Sequence, residues 1–396
     1  MIDLREALAL VTSHSQPLGE ETRSAVESVG YFLAEDIVAD VDSPPHNKSL
    51  VDGFAIRAED SNRELKLVEQ VIAGQVPSKP VEPGTASQIM TGAPIPDGAD
   101  AMVMVEDCVV ESGTVRINRE AKRGQHIMPR ATSFGQGEVV LPKGALVRPI
   151  EVGLLCEVGR DRVQCFRKPS VAVLPTGEEL VHATANPGPG QIRNSNGPML
   201  SARVSDAGCS VQQIDVARDN VNDLRAKIER GLESDILILS GGVSAGVRDL
   251  VPPTLESLGV KKVFHKVRLK PGKPVWFGVH STTDKQTLVF GLPGNPVSSL
   301  VCFELFVYLA IRCLSGNTKD VPKQTVQLSE ELQITGERPV FYPASTYLED
   351  GQLFAKPIAW KGSSDMLTIS KANCLIFLDA GARTYAKGEK LNAITI

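Results

Sequence analysis

The feature that most constrains this chain is an alternation of short apolar segments, glycine-rich loops and amphipathic segments between residues 167 and 316. Residues 235–239 (DILIL) form a continuous apolar run, typical of a strand buried on both faces of a parallel sheet. This run leads directly into a glycine-rich loop at 240–246. The other predicted strands lie at 171–174, 210–216, 263–267, 275–277 and 288–290, and the predicted helices at 198–207, 220–232, 250–258 and 297–314. The pattern predicts a doubly wound α/β domain.

The segments on either side of this domain have other patterns. Near the start, Leu4, Ala7 and Val11 share one helical face, and we expect a second helix at about 20–28. The 396 residues suggest two or three domains. The predicted parts are a helical or mixed base at 1–42 and 130–166, a β-rich insert at 43–129, the α/β domain at 167–316 and a small all-β domain at 317–396.

Composition excludes several functional classes. The formal net charge of −5 argues against a nucleic-acid-binding protein or a protein that binds anionic membranes, and aromatic residues are too few for a base-stacking platform. The early charges Asp3, Arg5 and Glu6 leave no apolar signal-peptide stretch, so we expect a cytoplasmic protein. The apolar segment 297–314 carries Glu304 and Arg312, which argues against a membrane span. The seven scattered cysteines form no CxxC pair, so buried inert thiols are expected rather than zinc ligands or disulfides.

Three loops of the α/β domain share one chemical character. TGEEL at 176–180, SGGVSAG at 240–246 and GLPGNP at 291–296 each follow a predicted strand. In open α/β sheets such loops lie at the carboxyl ends of the strands, where ligands bind. Glycines allow close backbone approach, and the N–H groups at a following helix start favour an anion, most often phosphate. One such loop alone is more often a simple tight turn, but three together predict an anion site.

Charged side chains accompany these loops. Lys270 and Lys273 lie on a proline-braced turn (LKPGKP), while Glu178, Glu179 and Asp249 stand in or beside the glycine-rich loops. Carboxylates next to phosphate are understandable if Mg²⁺ bridges the two, so the loops suggest a magnesium-assisted site for a phosphorylated ligand. Plainer explanations remain open. The lysines alone suit a solvated surface, Glu178 could complement a helix dipole, and Asp219 could cap a helix first and bind a ligand second.

Several ordered motifs resemble one family. The motifs are TGEEL, SGGVS with Asp249, KPGKP at 270–274, GLPGNP, SLVDGFA at 49–55, and TGAPIPDGADA at 91–101 followed by Glu106. In order and spacing they closely resemble molybdopterin molybdenumtransferases, a family of molybdenum cofactor synthesis that also includes the C-terminal part of gephyrin-type proteins. The resemblance covers essentially the whole chain.

The resemblance implies a homodimer with a helical base, a β-rich insert, a molybdopterin-binding α/β domain and a C-terminal β-barrel. It implies adenylylated molybdopterin and molybdate as substrates, Mg²⁺ as cofactor and AMP as product, and it leaves room for a molybdopterin-adenylylating partner. The implied catalytic residues are Asp52, Glu179, Asp249, Lys270 and Lys273, with Glu179 and Asp249 at the metal and Asp52 and Thr91 reaching across the dimer. The implied substrate-binding residues are Thr91, Thr176, Gly177, Asp219, Ser240, Gly241, Gly242, Ser244, Pro293, Gly294, Asn295, Arg338 and Ser363.

Some positions depart from the family pattern. Asn47 stands where an aspartate is expected, Ala131 replaces an expected glycine, and Ser133 replaces a second expected aspartate. Val340 and its neighbours replace a basic residue expected shortly after Arg338. These departures keep a second hypothesis open, a non-catalytic carrier or scaffold that binds molybdopterin or the finished cofactor. A third hypothesis, the preceding adenylylation or another nucleotide hydrolysis, fits the two additional β domains less well.

Overall fold

The computed structural model describes residues 1–243, 249–317 and 323–396. Within these residues the chain forms two compact units. The larger contains Met1–Thr22, Gly30–Ala34 and Gln164–Ile396, and the smaller contains Arg23–Val29 and Glu35–Val163. The four-part division expected from the sequence remains a prediction at the level of its boundaries.

The chain begins with helix α1 (Leu4–His14), capped by the Asp3 carboxylate, which accepts a hydrogen bond from Arg5 N at 2.9 Å. Leu4, Ala7 and Val11 are buried in the core of the α/β domain, so by its contacts this helix lies with that domain rather than with the base. The helix expected at 20–28 is wrong. Residues Glu20–Ser24 form strand β1, because backbone pairing with β12 (Arg162–Phe166) overrides the helix propensity of the charged sequence EETRS.

The smaller unit is mainly β-structure, as predicted for its insert. A six-stranded sheet has the strand order β7-β4-β6-β5-β9-β8, and Phe54, Leu65 and Val103 lie in one of its apolar cores. Ser112 and Gly113 turn the predicted β8–β9 hairpin with positive φ angles. The elements are β2 (Ile37–Val38), β3 (Lys48–Ser49), β4 (Gly53–Ile56), β5 (Glu64–Val71), β6 (Thr85–Ile89), β7 (Ala101–Met104), β8 (Cys108–Glu111), β9 (Thr114–Ile117), β10 (Ile127–Met128), β11 (Val139–Leu141) and helix α2 (Pro149–Glu157).

The α/β domain has the predicted doubly wound architecture. Its elements are β13 (Ser170–Pro175), β14 (Leu180–Val181), β15 (Ile192–Arg193), α3 (Asn196–Asp206), β16 (Ser210–Gln213), α4 (Val221–Gly231), β17 (Ile236–Ser240), α5 (Val251–Ser257), β18 (Lys261–His265), β19 (Trp276–Ser281), β20 (Gln286–Leu292), α6 (Pro296–Cys302), a π-helical stretch (Phe303–Val307) and α7 (Tyr308–Leu314). The sheet order is β16-β13-β17-β20-β19-β18, with β16, β13, β17 and β20 parallel and β19 antiparallel to both neighbours.

Alternate residues of the central strands serve the two faces of this sheet. Ile236 and Ile238 pack with α1, α3 and the α6–α7 helix, whereas Leu237 and Leu239 pack with α4 and α5. The helix Pro296–Leu314 has the length and composition of a membrane span, but 89% of its apolar window is buried inside the protein. Its Glu304 pairs there with Arg203, so the segment is the central core helix of this domain.

The C-terminal residues form a closed barrel with the order β21-β24-β23-β25-β27 and a separate β22–β26 pair. A closed sheet leaves no unpaired edge strands. The barrel agrees with the all-β domain expected from the sequence. Its elements are β21 (Gln324–Leu328), β22 (Leu332–Ile334), β23 (Val340–Glu349), β24 (Gln352–Pro357), α8 (Met366–Ile369), β25 (Cys374–Leu378), β26 (Arg383–Tyr385) and β27 (Lys390–Thr395). Five of the seven cysteines in the chain are buried as expected, whereas Cys156 is exposed.

Candidate functional site

A cleft of about 550 Å³ opens at the carboxyl ends of β13, β17 and β20. Strand β13 lies between β16 and β17, so the chain leaves it toward one neighbour and returns on the other side. This is the topological switch point of the sheet, where open α/β folds bind their ligands. The three glycine-rich loops singled out in the sequence therefore meet at one place.

The SGG turn brings bare backbone to the floor of this cleft. Gly241 and Gly242 have φ angles of 97° and 63°, in the region that side chains disfavour. A Cβ on Gly241 would lie 2.7 Å from the carbonyl oxygen of Thr176, and one on Gly242 would lie 2.7 Å from Cγ2 of Val251. Glycine is required at both positions, and it leaves the cleft open to close approach by a ligand.

Asn196, at the start of α3, connects two of the three loops. Its Nδ2 donates to Ser240 Oγ at 2.9 Å and to the carbonyl oxygen of Gly294 at 2.7 Å. Thr176 Oγ1 donates to the Ser240 carbonyl at 3.3 Å, which ties the TGEEL loop to the same point. One buried amide thus fixes the relative position of the SGG and GNP turns.

Charged residues of both signs line the cleft. The carboxylates are those of Glu179, Asp219 and Asp249, and the cations are Arg193 and Arg218. Across the three described ranges, no group of three or more His, Cys, Asp or Glu is arranged to hold a metal ion. Mg²⁺ characteristically binds through one or two carboxylates together with substrate phosphates and water, so Glu179 and Asp249 in a phosphate-type cleft fit this ion.

The structure contradicts the two plainer explanations for Glu178 and Asp219, a helix-dipole role and a helix-cap role. No helix starts at Glu178. Instead, its Oε1 accepts a hydrogen bond from Asp219 N at 2.9 Å. Asn220 caps α4, accepting from Asn222 N and Asp223 N, so Asp219 is not the cap and lines the cleft. Arg218 Nη1 donates to the carbonyl oxygens of Glu178 and Leu180 at 3.1 and 3.2 Å, which braces the loop.

Of the residues implied by the resemblance, those of the α/β loops gather in the cleft. They are Thr176, Gly177, Glu179, Asp219, Ser240, Gly241, Gly242, Asp249, Pro293, Gly294 and Asn295. Ser244 lies outside the described residues. Lys270 and Lys273 are exposed and do not line the cleft, although the neighbouring Pro274 does.

The C-terminal domain is hydrogen-bonded to the lysine turn at 270–274 and to the GNP turn. Lys270 N donates to the Pro339 carbonyl, and Phe341 N donates to the Lys270 carbonyl, both at 2.9 Å. Arg338 Nη1 donates to the Leu269 carbonyl at 3.0 Å. Ser363 Oγ accepts from Asn295 Nδ2 at 2.8 Å, and its carbonyl accepts from Val297 N at 3.0 Å. Arg338 therefore holds the lysine turn and Ser363 holds the GNP turn, and neither residue lines the cleft.

In the smaller unit, Asp52 and Thr91 contact each other directly. Asp52 Oδ1 accepts from Thr91 N at 2.7 Å and from Thr91 Oγ1 at 3.0 Å. These hydrogen bonds, the backbone one foremost, hold the pKa of the Asp52 carboxyl below its usual value. Both residues are exposed, and Asp52 is accordingly a fixed anion on the surface of its unit.

Three of the four departures from the family pattern, Asn47, Ala131 and Ser133, are exposed residues of the smaller unit. Asn47 Oδ1 accepts from Arg130 N at 2.9 Å, and Ser133 N donates to the Ser43 carbonyl at 2.8 Å. Ala131 has a φ of 59°, the left-handed region in which glycine is favoured. A carboxylate is still present nearby, because Asp42 forms an ion pair with Arg130.

One part of the cleft lining was not predicted from the sequence. Residues 192–196 (IRNSN) and Arg218 line it, yet none was selected from the sequence. The available signal was a polar, asparagine-rich segment immediately before a predicted helix, since helix N-termini bind anions. This segment lacks the glycines that mark the other three loops.

The fold and the cleft define a doubly wound α/β protein with a glycine-rich cleft at its switch point and two additional β domains. Three family models match the chain in succession. They are the MoeA N-terminal region (domain I and II) at 2–159, a probable molybdopterin-binding domain at 172–312, and the MoeA C-terminal region (domain IV) at 325–396. The chain belongs to the MoeA family.

Individual relatives match over the full length. The molybdopterin molybdenumtransferase of Staphylococcus epidermidis is 34% identical over 402 residues, covering 99% of this chain and 95% of the relative. That of Staphylococcus aureus is 33% identical over 403 residues, with the same coverage. The crystal structure of the molybdopterin biosynthesis MoeA protein of Pyrococcus horikoshii OT3 is 30% identical, superimposes with a TM-score of 0.85, and each chain covers 100% of the other.

Proposed function

We propose that this chain is a molybdopterin molybdenumtransferase that inserts molybdenum from molybdate into adenylylated molybdopterin and releases AMP. The observation that carries the proposal is the cleft at the sheet switch point, where three glycine-rich turns present backbone to an anionic ligand. The full-length similarity to relatives with this name supports it.

In this reaction molybdate reacts directly with the dithiolene of molybdopterin. The protein therefore has to hold two anions close together. Two molybdenum–sulfur bonds form as one oxygen of molybdate leaves as water with the two protons of the dithiol. A water molecule cleaves the pyrophosphate, so that AMP leaves and the other phosphate stays on molybdopterin. The backbone of the SGG turn and the start of α6 suit the phosphates, and Arg193 and Arg218 offset their charge. Glu179 and Asp249 would hold Mg²⁺, which would supply positive charge against the pyrophosphate.

The test is AMP release from adenylylated molybdopterin by the purified chain, with and without molybdate. We expect molybdate-dependent release, and Asp249→Ala should lower turnover by roughly 100-fold, the usual cost of removing one preorganised electrostatic group. Asp284→Asn, an exposed carboxylate outside the cleft, is the matched control. Parent-like turnover of Asp249→Ala would remove Asp249 from the proposed mechanism.

A second candidate is a carrier or scaffold that binds molybdopterin without turning it over. The neutral residues Asn47 and Ser133, in place of two aspartates, favour it. The discriminating variants are Ser133→Asp alone and with Asn47→Asp. If the parent binds the substrate but releases no AMP, and if these substitutions produce turnover, the protein is a carrier or scaffold. If the parent releases AMP and Ser133→Asp slows that release, the result supports the transferase.

We also propose a cytoplasmic homodimer in which Asp52 and Thr91 of one subunit complete the cleft of the other. Asp52 is held ionised by Thr91 in the smaller unit, outside the set that lines the cleft. Mixed Asp52→Ala and Asp249→Ala chains should recover up to about a quarter of parental activity by random pairing in a two-fold dimer. Demonstrated subunit exchange without recovery would show that each chain is complete alone.

A further inference from the structure

One edge of the α/β sheet carries a strip of positive charge. Between residues 261 and 273 the chain has six lysine or arginine residues and neither aspartate nor glutamate. Five of the six are exposed, and the other is half-buried. The chain as a whole has a net charge of −5, so its charge is locally reversed here. We call this set the basic strip, and its members are Lys261, Lys262, Lys266, Arg268, Lys270 and Lys273.

The basic strip leads to the edge of the sheet at which the cleft opens. Strand β18 runs parallel to β20, because both are antiparallel to β19. It therefore ends at the same edge as the strands that form the cleft. Residues 266–275 connect β18 with β19 at that edge, and they include the lysine turn. The strip thus begins on the outermost strand of the sheet and ends at Lys270 and Lys273.

Backbone hydrogen bonds hold this connecting segment in place. Lys266 N donates to the Val275 carbonyl at 2.9 Å, and Val267 N donates to the Lys273 carbonyl at 3.0 Å. The bonds from the C-terminal domain to Lys270 fix its far end. The cations therefore project from a fixed backbone rather than from a free loop.

Few of these charges are compensated within the protein. Lys262 pairs with Glu256 at 3.7 Å, but both side chains are about half exposed, so water screens the pair. Arg268 Nη2 donates to the backbone carbonyl of Glu337 at 3.0 Å, which leaves its charge uncompensated. In the part of the chain that the structure describes, the other four members form no ion pair.

Protection of an exposed sheet edge explains only part of the strip. Lysines on an edge strand prevent pairing with another chain, and this accounts for Lys261 and Lys262 of β18. It does not account for the four cations at 266–273, which follow the strand. A continuous surface of one sign attracts ions of the other sign and raises their rate of association.

We propose that the basic strip collects small dianionic oxyanions and guides them to the lysine turn. This inference rests on the proposed function, which makes molybdate a substrate. The net negative charge of the protein repels such an ion, so an approach path of opposite sign speeds the encounter. Because the two lysines of the turn do not line the cleft, the strip serves the oxyanion and not the ligand of the cleft. The four members before the turn act by attraction at a distance and are not catalytic residues.

The test removes three charges that lie outside the lysine turn. The strip variant replaces exposed cations by glutamine: Lys261→Gln, Lys262→Gln and Arg268→Gln. The control variant removes three exposed lysines of the C-terminal domain in the same way: Lys371→Gln, Lys387→Gln and Lys390→Gln. Both variants change the net charge equally, and neither set lines the cleft. Circular dichroism verifies folding.

Rates of AMP release at low and high salt give kcat and KM for each substrate. At about 20 mM salt, where charges act over more than 10 Å, the strip variant should lower kcat/KM for molybdate about tenfold and leave kcat unchanged. At about 500 mM salt the difference should fall below about twofold, because screening then limits attraction to about 4 Å. The KM for adenylylated molybdopterin should change less than about twofold in either variant.

Equilibrium dialysis against molybdate, with molybdenum quantified by mass spectrometry, measures binding without turnover. It should show weaker binding by the strip variant than by the control at low salt, and it decides the role of the strip even if the parent releases no AMP. Equal molybdate binding and equal kcat/KM in the two variants would overturn the proposal. An equal loss for both substrates would show that the strip attracts every anion, which would end its assignment to the oxyanion.

Discussion

Arg203 of α3 and Glu304 of the π-helical stretch form a bidentate ion pair in the core of the α/β domain. Nε donates to Oε1 at 2.8 Å and Nη2 to Oε2 at 3.0 Å. Arg203 lies about two turns along α3 from Asn196, and Glu304 about two turns along from Pro296, at 3.6 residues per turn. The same two helices are thus joined at the cleft by Asn196 and again below it by this ion pair.

Removing one member of this pair should be far more costly than removing both. Glu304 is buried, and burial raises the pKa of its carboxyl despite Arg203. Arg203→Met leaves that carboxyl without its partner and should lower the free energy of unfolding by about 3 kcal/mol, whereas Arg203→Met with Glu304→Leu should recover most of the loss. Urea unfolding measures both. A double variant as unstable as the single one would contradict this account.

Elements that depend on local sequence were predictable, whereas elements that depend on partners distant in the chain were not. The strand 235–239 and its glycine-rich loop were predictable because an apolar run flanked by glycine has few alternatives in a parallel sheet. The strand at Glu20–Ser24 was not, because its partner Arg162–Phe166 lies far along the chain, and local charge patterns favour helix. Asn196 was missed for the same reason, since its importance depends on Ser240 and Gly294 being adjacent in space.

Asn196→Asp should weaken AMP binding. The substitution replaces the amide that donates to Ser240 and Gly294 with an acceptor, and it adds a negative charge beside the cleft in which we propose the phosphates bind. Repulsion between like charges at an effective dielectric constant near 20 is of the order of 1 kcal/mol or more, so affinity should fall about tenfold. Calorimetry with AMP measures it, and Asn118→Asp, exposed in the other unit, serves as control. Equal affinities for parent and Asn196→Asp would show that the phosphates bind elsewhere.

Ala131→Gly should stabilise the smaller unit. The φ of 59° is strained for alanine by about 1–2 kcal/mol, and the added freedom of glycine in the unfolded chain offsets part of the gain. We expect a net increase in the free energy of unfolding of about 0.5–1 kcal/mol. Ala145→Gly, in the same unit and without a positive φ, should lower stability instead. If both substitutions destabilise equally, the backbone at 131 is not strained.

His265 should make the stability of the α/β domain depend on pH. Its Nε2 donates to the carbonyl of Val243, at the end of the SGG turn, over 3.0 Å. Burial, with smaller contributions from Lys266, Lys262 and the N-terminal amine, lowers the pKa of this imidazole below 6.5, although the bond to Val243 opposes the shift. The unfolded chain therefore takes up the proton first as pH falls, and the histidine's contribution to stability is complete above about 6.5 and is lost as pH falls through the lower folded pKa.

The comparison is between the parent and His265→Gln, whose side-chain amide can still donate to Val243 but does not titrate. Thermal unfolding of both at pH 7.5 and at pH 5.5 isolates the histidine, because every other titrating group is common to the two proteins. The melting temperature of the parent should fall more than that of the variant over this interval. A larger fall in the variant would mean that the protonated imidazole is favoured in the folded state, which the desolvation of its ring opposes.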